Sequence, residues 1–222
     1  MQVGALGPAW ALIPAHNEAP RLGEVLARLD LPVLVVDDRS QDGTARIALE
    51  HGATVIPSSR PGYAGAIATG HAWMRERGIH RCVQLDADGQ HPPEAVHRLL
   101  EGLSDANLVT GSRQGTTSPS TWDRKAGNAL LSMGVRALTR ESFQDVTSGF
   151  WACDSKASAM VAGLRGPVAD ANIRVLAVRA GLRVRELSVD MPCRSGGASM
   201  HDGWHGVRNL GRSIRAMASA AR

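Results

Sequence analysis

Short apolar runs alternate with stretches of helical periodicity through the first half of the chain. Trp10-Ala11-Leu12-Ile13-Pro14 reads as a buried strand stopped by proline, and Ala15-His16-Asn17-Glu18 follows as a loop. Pro20 opens a helix whose apolar positions Leu22, Val25, Leu26 and Leu29 return at helical spacing. Val33-Leu34-Val35-Val36 is apolar without alternation, the pattern of an interior parallel strand covered on both faces. A polar turn over 37–44 leads to a helix over 45–51 and a third strand over 53–56. A glycine loop over 60–65 precedes a helix over 66–77, and a fourth strand covers 81–85. Pro92-Pro93-Glu94 opens a helix ending near residue 103, and a fifth strand covers 107–111. This alternation predicts an α/β fold: a Rossmann-like, mostly parallel sheet with helices on both faces, in three α/β/α layers.

The pattern is less regular beyond Arg113. A polar loop over 114–121, rich in Ser and Thr, leads to a helix over 122–138. Residues 143–153 predict a loop with a short strand around Ser148-Gly149-Phe150, 169–180 a helix, and 183–189 a strand. Residues 191–203, with Gly196-Gly197, read as a mobile polar segment able to order over a ligand, and 204–222 as a closing helix. With no repeat, low-complexity tract or linker in 222 residues, one domain is expected.

Composition narrows the classes. A hydrophobic content of 43% with 21% charged residues is that of a soluble globule. The formal charge of +4 favours acidic ligands or an anionic membrane surface, but there is no arginine-rich arm of the kind that binds nucleic acid. Cys82, Cys153 and Cys193 are odd in number and far apart, without CxxC or zinc spacing, and are expected to be free thiols in a reducing compartment. Residues 1–7 lack a basic region ahead of an apolar one, and no apolar run approaches bilayer-spanning length, so a cytoplasmic protein is expected.

The candidate chemistry lies at strand ends. Asp86 and Asp88, two apart where the fourth strand ends, project to one side of extended chain. Two such carboxylates repel unless a cation neutralises them. Oxygen ligands select a hard divalent ion, Mg2+ or Mn2+, often shared with substrate phosphates. A calcium EF-hand loop would need glycine sixth and glutamate twelfth, whereas Gly89 is fourth and His97 twelfth. A phosphatase with an aspartyl nucleophile stays open as an enzymatic rival, and a solvated turn as the plain structural one. Asp37-Asp38 ends another strand, and ligands of open α/β sheets bind outside the carboxyl ends of strands. An acid there can accept from a ribose hydroxyl or a base N–H, while Asp42 or Ser40 can cap the next helix. Gly62, Gly65 and Gly70 do not form GxGxxG, and no GxxxxGK[ST] occurs, which disfavours dinucleotide oxidoreductases and P-loop NTPases.

Ile13-Pro14-Ala15-His16-Asn17-Glu18, Val36-Asp37-Asp38-Arg39-Ser40-Gln41-Asp42-Gly43-Thr44 and Asp86-Ala87-Asp88-Gly89-Gln90-His91-Pro92 together resemble the successive signatures of family 2 glycosyltransferases. The resemblance continues through Gly111-Ser112-Arg113 and Asp145-Val146-Thr147-Ser148-Gly149-Phe150 to Arg194, Gly197 and Ser199. The chain is most similar to the dolichol-phosphate mannose synthase-like subgroup. The resemblance implies a GT-A fold and inverting transfer from a UDP- or GDP-sugar to an acceptor, with a polyprenyl phosphate favoured. A soluble hydroxyl acceptor, or sugar-nucleotide binding without turnover, are the alternatives.

The resemblance also implies site roles. Pro14, His16, Glu18, Asp37, Asp38, Gly65, Asp86, Ala87, Arg113 and Arg194 would line the nucleotide-sugar site. Asp86, Asp88 and Gln90 would hold Mg2+ or Mn2+. Asp145, Asp88 and Arg113 would carry catalysis, with Asp145 a base toward a hydroxyl or an orienting group toward an ionised phosphate. Arg113, Arg124 and Arg194 are candidates for phosphate contacts. Two positions depart from the pattern: His16 stands where the family usually has an aromatic ring, and Trp151 where the subgroup usually has arginine. Residues 1–112 are expected to bind the donor and 113–203 the acceptor. Val207, Leu210, Ile214, Met217 and Ala221 share one helical face and Arg208, Arg212 and Arg215 another, so 204–222 either packs on the domain or lies peripherally on an anionic membrane.

Overall fold

Side chains alternate across a strand, so each apolar run is divided between the two faces of the sheet. In the computed structural model, which describes residues 8–113, 122–165 and 170–191, β1 (Trp10–Ala15) sends Ala11, Ile13 and Ala15 into one core and Leu12 into the other. β2 (Val33–Asp37) divides Val35 from Leu34 and Val36 in the same way. The first core is covered by α1 (Ala19–Ala27), α2 (Thr44–Glu50) and α4 (Val96–Glu101), through Leu22, Val25, Ala48, Val96 and Leu99. The second is covered by α3 (Tyr63–Glu76), α6 (Ser155–Ala162) and α7 (Asp170–Arg179), through Ile67, Met74, Val161 and Ile173. The three expected layers are therefore present. A third cluster joins Leu131 and Val135 of α5 (Trp122–Thr139) to Phe143, Val146 and Val175.

With β3 (Thr54–Pro57), β4 (Arg81–Gln84), β5 (Leu108–Ser112), β6 (Trp151–Asp154) and β7 (Val184–Ser188), the sheet order is β3-β2-β1-β4-β6-β5-β7. β6 runs antiparallel to β4 and β5, while every other described pairing is parallel. The antiparallel strand delivers residues 145–150, which precede it, to the carboxyl edge of its neighbours. β2 and β3 lie on one side of β1 and β4 on the other, which makes the β1–β4 boundary a topological switch point. The two acidic strand ends are not neighbours, because β1 stands between them.

Several expectations need correction. β1 does not stop at Pro14 but runs to Ala15, with Pro14 opposite Val36. The missing proline N–H faces the β4 side, where pairing ends at Leu12 opposite Gln84, so no ladder bond is lost. The strand expected at residues 148–150 lies instead over Trp151–Asp154, and α6 follows it directly, capped by Asp154 accepting from the Lys156 and Ala157 N–H groups. α3 starts at Tyr63, three residues early, with Gly62 as its N-cap. The loop 114–121, residues 192–222 with Arg194, and the Arg124 side chain lie outside the described residues.

Candidate active site

The carboxyl ends of β1 and β2 are laced together by short polar side chains. His16 Nδ1 meets the Asp38 carbonyl at 2.6 Å, and its Nε2 meets Asn17 Nδ2 at 3.2 Å. Asn17 accepts the Gln41 N–H at 2.8 Å, and the Glu18 N–H donates to Thr44 Oγ1 at 2.9 Å. Asp42 ties two helix starts together, accepting from the Ala19 N–H at 3.2 Å and the Thr44 N–H at 2.9 Å. In the acidic pair, Asp37 Oδ1 accepts the Ser40 N–H at 3.2 Å and so closes the turn. Asp38 Oδ2 accepts the Gly62 N–H at 2.6 Å, whereas its Oδ1 is buried and has no hydrogen-bond partner among the described residues. A buried acceptor left open suits a ligand N–H or O–H. Gly65 has a structural reason for its identity: a Cβ there would lie 2.0 Å from the Arg60 carbonyl oxygen.

Beyond β4, Ala87 turns into the core between Asp86 and Asp88, which are both partly exposed. β4 ends at Gln84, so the two acids lie in the loop and turn that follow it rather than on extended chain. Asp88 Oδ1 accepts the Gln90 N–H at 3.0 Å, so Gln90 shapes the loop through its backbone. His91 Nδ1 accepts the Asp86 N–H at 2.9 Å, and its ring stacks on Phe150 with centroids 5.0 Å apart. Burial pushes the His91 imidazole down to about 4, so it stays neutral and keeps accepting at neutral pH.

Arg113 leaves β5 and forks onto Asp145, with Nε 2.6 Å from Oδ2 and Nη2 3.0 Å from Oδ1, and it reaches Thr147 Oγ1 at 2.7 Å. Asp145 is 5% exposed. Burial alone would raise its carboxyl, but the hydrogen bonds and charge of Arg113 outweigh that and hold it at about 2. Beneath this pair lies Arg174, 1% exposed, which donates to the carbonyls of Asp145 at 3.0 Å, Val146 at 3.2 Å and Asp170 at 2.8 Å. One buried guanidinium therefore sets the path of the loop that presents Asp145.

Tyr63 links the two halves. Its hydroxyl donates to Asp170 Oδ1 at 3.3 Å and accepts from Gln84 Nε2 at 3.0 Å, and Gln84 Nε2 also reaches the Gly149 carbonyl at 3.3 Å. A Cβ on Gly149 would lie 2.9 Å from the Tyr63 hydroxyl and 3.4 Å from each Asp86 oxygen, so glycine leaves room for both groups. Burial and then the Asp86 charge push the Asp170 carboxyl up to about 6. The carboxylate oxygens of Asp86 and Asp88 are donors of the kind that fit a hard divalent cation.

The structure thus brings Asp86, Asp88, Arg113 and Asp145 to one carboxyl edge, with Pro14 and Asp37 at the ends of β1 and β2 and His16, Glu18 and Asp38 on the loops that follow them. Trp151 does not reach it: the ring is fully buried and stacks on His71. Sequence reasoning misses Tyr63, Gln84, Asp170 and Arg174 as parts of the site. Gln84 and Arg174 sit among apolar neighbours, Val83 and Leu85 or Ile173 and Val175. A polar residue placed in an apolar phase is the signal that could have found them.

A model of the family described as Glycosyl transferase family 2 matches residues 10–160, more than half of the chain. The undecaprenyl-phosphate mannosyltransferase of Micrococcus luteus is 36% identical over 153 residues, covering 63% of this chain and 63% of that protein. The polyprenol monophosphomannose synthase of Mycolicibacterium smegmatis is 33% identical over 156 residues, covering 63% and 58%. The chain thus spans less than two thirds of either relative. An uncharacterized glycosyltransferase of Mycobacterium bovis is 31% identical over 196 residues, covering 86% of this chain and 88% of that one. Among solved structures, glucosyl-3-phosphoglycerate synthase from Mycobacterium tuberculosis, in complex with Mn2+, UDP-glucose and glycerol 3-phosphate, aligns with a TM-score of 0.76. That alignment has 18% identity and covers 100% of this chain and 84% of that one, a likeness of fold. The sheet, the order of its acidic strand ends and the family match agree, and the chain belongs to glycosyl transferase family 2, with the GT-A fold.

Proposed function

We propose that the chain moves a sugar, with inversion, from a nucleotide-diphosphate sugar to a polyprenyl phosphate, using Mg2+ or Mn2+. The observation that carries this reading is the Arg113–Asp145 fork on the same carboxyl edge of the sheet as Asp86 and Asp88, with the Asp86 charge felt at Arg113. Asp38, with its open buried oxygen, and the loop bearing His16 and Glu18 are proposed to hold the nucleoside. A divalent ion held by Asp86 and Asp88, with Gln90 beside them, would neutralise the donor diphosphate as a Lewis acid. The curated relatives, named for transfer to undecaprenyl phosphate and polyprenol phosphate, support the lipid acceptor.

In this reading an ionised phosphate oxygen of the acceptor attacks the anomeric carbon opposite the diphosphate. The bond from that carbon to the diphosphate oxygen breaks as the new one forms, and the nucleoside diphosphate leaves. An ionised phosphate has no proton to lose, which agrees with an Asp145 whose oxygens are engaged and whose carboxyl stays ionised. Asp145 then acts by fixing Arg113, whose charge stabilises the departing diphosphate. Access to a lipid acceptor is assigned to peripheral contact through 204–222, whose sequence sets apolar positions apart from Arg208, Arg212 and Arg215.

The test is transfer from a panel of UDP- and GDP-sugars to undecaprenyl phosphate with Mn2+ present. A lipid-linked sugar from wild type, and none from Asp88→Ala, is the expected result. Donor binding without transfer to any acceptor would overturn the reading.

A further inference from the structure

β4 and β6 lie antiparallel with Cys82 directly opposite Cys153, and their sulfurs are 3.4 Å apart. His71 of α3 closes over the pair, its Nδ1 3.9 Å from Cys82 Sγ and 3.0 Å from Ser158 Oγ. His71 and Cys153 are 0% exposed and Cys82 is 2% exposed, and one ligand atom from each lies within 4.8 Å of the others. The Trp151 ring, 5.4 Å away and 7° from parallel, fixes the imidazole plane. His71 Nε2 is buried with no hydrogen-bond partner among the described residues. Nδ1 is the nitrogen that faces the sulfurs, and an ion bound there would take the place of the Ser158 hydroxyl and hold the ring as the tautomer protonated on Nε2.

We propose that Cys82, Cys153 and His71 form a buried zinc site, separate from the Asp86 and Asp88 carboxylates. Two sulfurs and an imidazole nitrogen suit Zn2+ and not the oxygen-seeking Mg2+ or Mn2+. Zinc bond lengths place tetrahedral ligand atoms about 3.6–3.8 Å apart, and the observed 3.4 Å and 3.9 Å lie on either side of that. Binding forms two Zn–S bonds and one Zn–N bond and releases the two thiol protons to solvent. Two thiolates cancel the charge of the ion, so the interior gains no net charge. A bound ion would pin α3, β4 and β6 together two residues from Gln84, which meets Tyr63 and the Gly149 carbonyl at the candidate active site.

The test loads the full chain with Zn2+, removes unbound ion by desalting and measures metal by mass spectrometry, alongside the absorption spectrum of Co2+-substituted protein. Roughly one retained zinc per chain is expected, with a near-ultraviolet sulfur-to-cobalt band of two-thiolate intensity. Both should survive in Asp88→Ala and Cys193→Ser and be lost in Cys153→Ser and His71→Ala. The wild-type cobalt spectrum stands without any variant, so a variant that fails to fold leaves the test intact. No retained zinc and no sulfur-to-cobalt band in wild type would overturn the proposal. So would loss of the band in Cys193→Ser, or a Cys82–Cys153 disulfide in the purified chain.

Discussion

Arg113 and Asp145 form one unit, and their roles separate by charge and geometry. Arg113→Lys keeps the charge but loses the fork onto Asp145, and transfer is expected to fall by about two orders of magnitude with the fold intact. Steady-state kinetics beside circular dichroism would check this, and unchanged kcat would remove Arg113 from the transition state. Asp145 also makes a prediction about stability. Its folded carboxyl is depressed from 3.8 to about 2, so it stabilises the fold fully above 3.8 and progressively less as pH falls toward 2. Asp145→Asn should remove a pH-dependent contribution on the order of 2 kcal/mol from that window, read by urea unfolding at each pH. A variant with the wild-type slope between pH 4 and 2 would show that the ion pair is not thermodynamically coupled to folding.

At the scale of elements, the site depends on two close backbone approaches. α3 can start against the 58–61 turn because Gly65 has no Cβ, and Gly65→Ala, aimed at a backbone oxygen 2.0 Å away, is expected to cost about 3 kcal/mol. Thermal or urea unfolding measures this directly. The approach ahead of β6 is gentler and closer to the chemistry. Gly149→Ala crowds the Tyr63 hydroxyl at 2.9 Å and the Asp86 carboxylate at 3.4 Å. It should raise the Mn2+ concentration needed for half-maximal transfer more than it lowers the unfolding midpoint. Equal Mn2+ requirements in variant and wild type would mean that Asp86 tolerates the crowding.

For the whole molecule, a donor that binds across the β1–β4 switch point touches loops from both sides of the sheet and so stabilises the domain as a unit. A bound sugar nucleotide at a hundredfold over its Kd adds about 2.7 kcal/mol of stability. The matching UDP- or GDP-sugar with Mn2+ should therefore raise the melting temperature of wild type and leave Asp88→Ala unmoved. An equal shift in both would separate donor binding from the carboxylates. The lipid-acceptor reading adds that the 222-residue chain floats with anionic liposomes and the chain lacking residues 204–222 does not. Flotation of the truncated chain would place the membrane contact elsewhere.

Much of this was legible in the chain itself. Local pattern determined the β/α alternation, the two-sided burial of β1 and β2, and the strand-end position of Asp86 and Asp88, because each depends on side-chain alternation over a few residues. The order of the acidic motifs was enough to indicate the family. Only tertiary structure decided that β6 runs antiparallel between β4 and β5, since strand direction is set by long-range pairing that no local period encodes. That one choice brings Asp145 and Gly149 to the carboxyl edge and sets Cys153 opposite Cys82, across 71 residues of sequence. It also sets Asp145 against Arg113, which holds the carboxyl ionised, because a carboxylate's proton affinity depends on the charges folded against it.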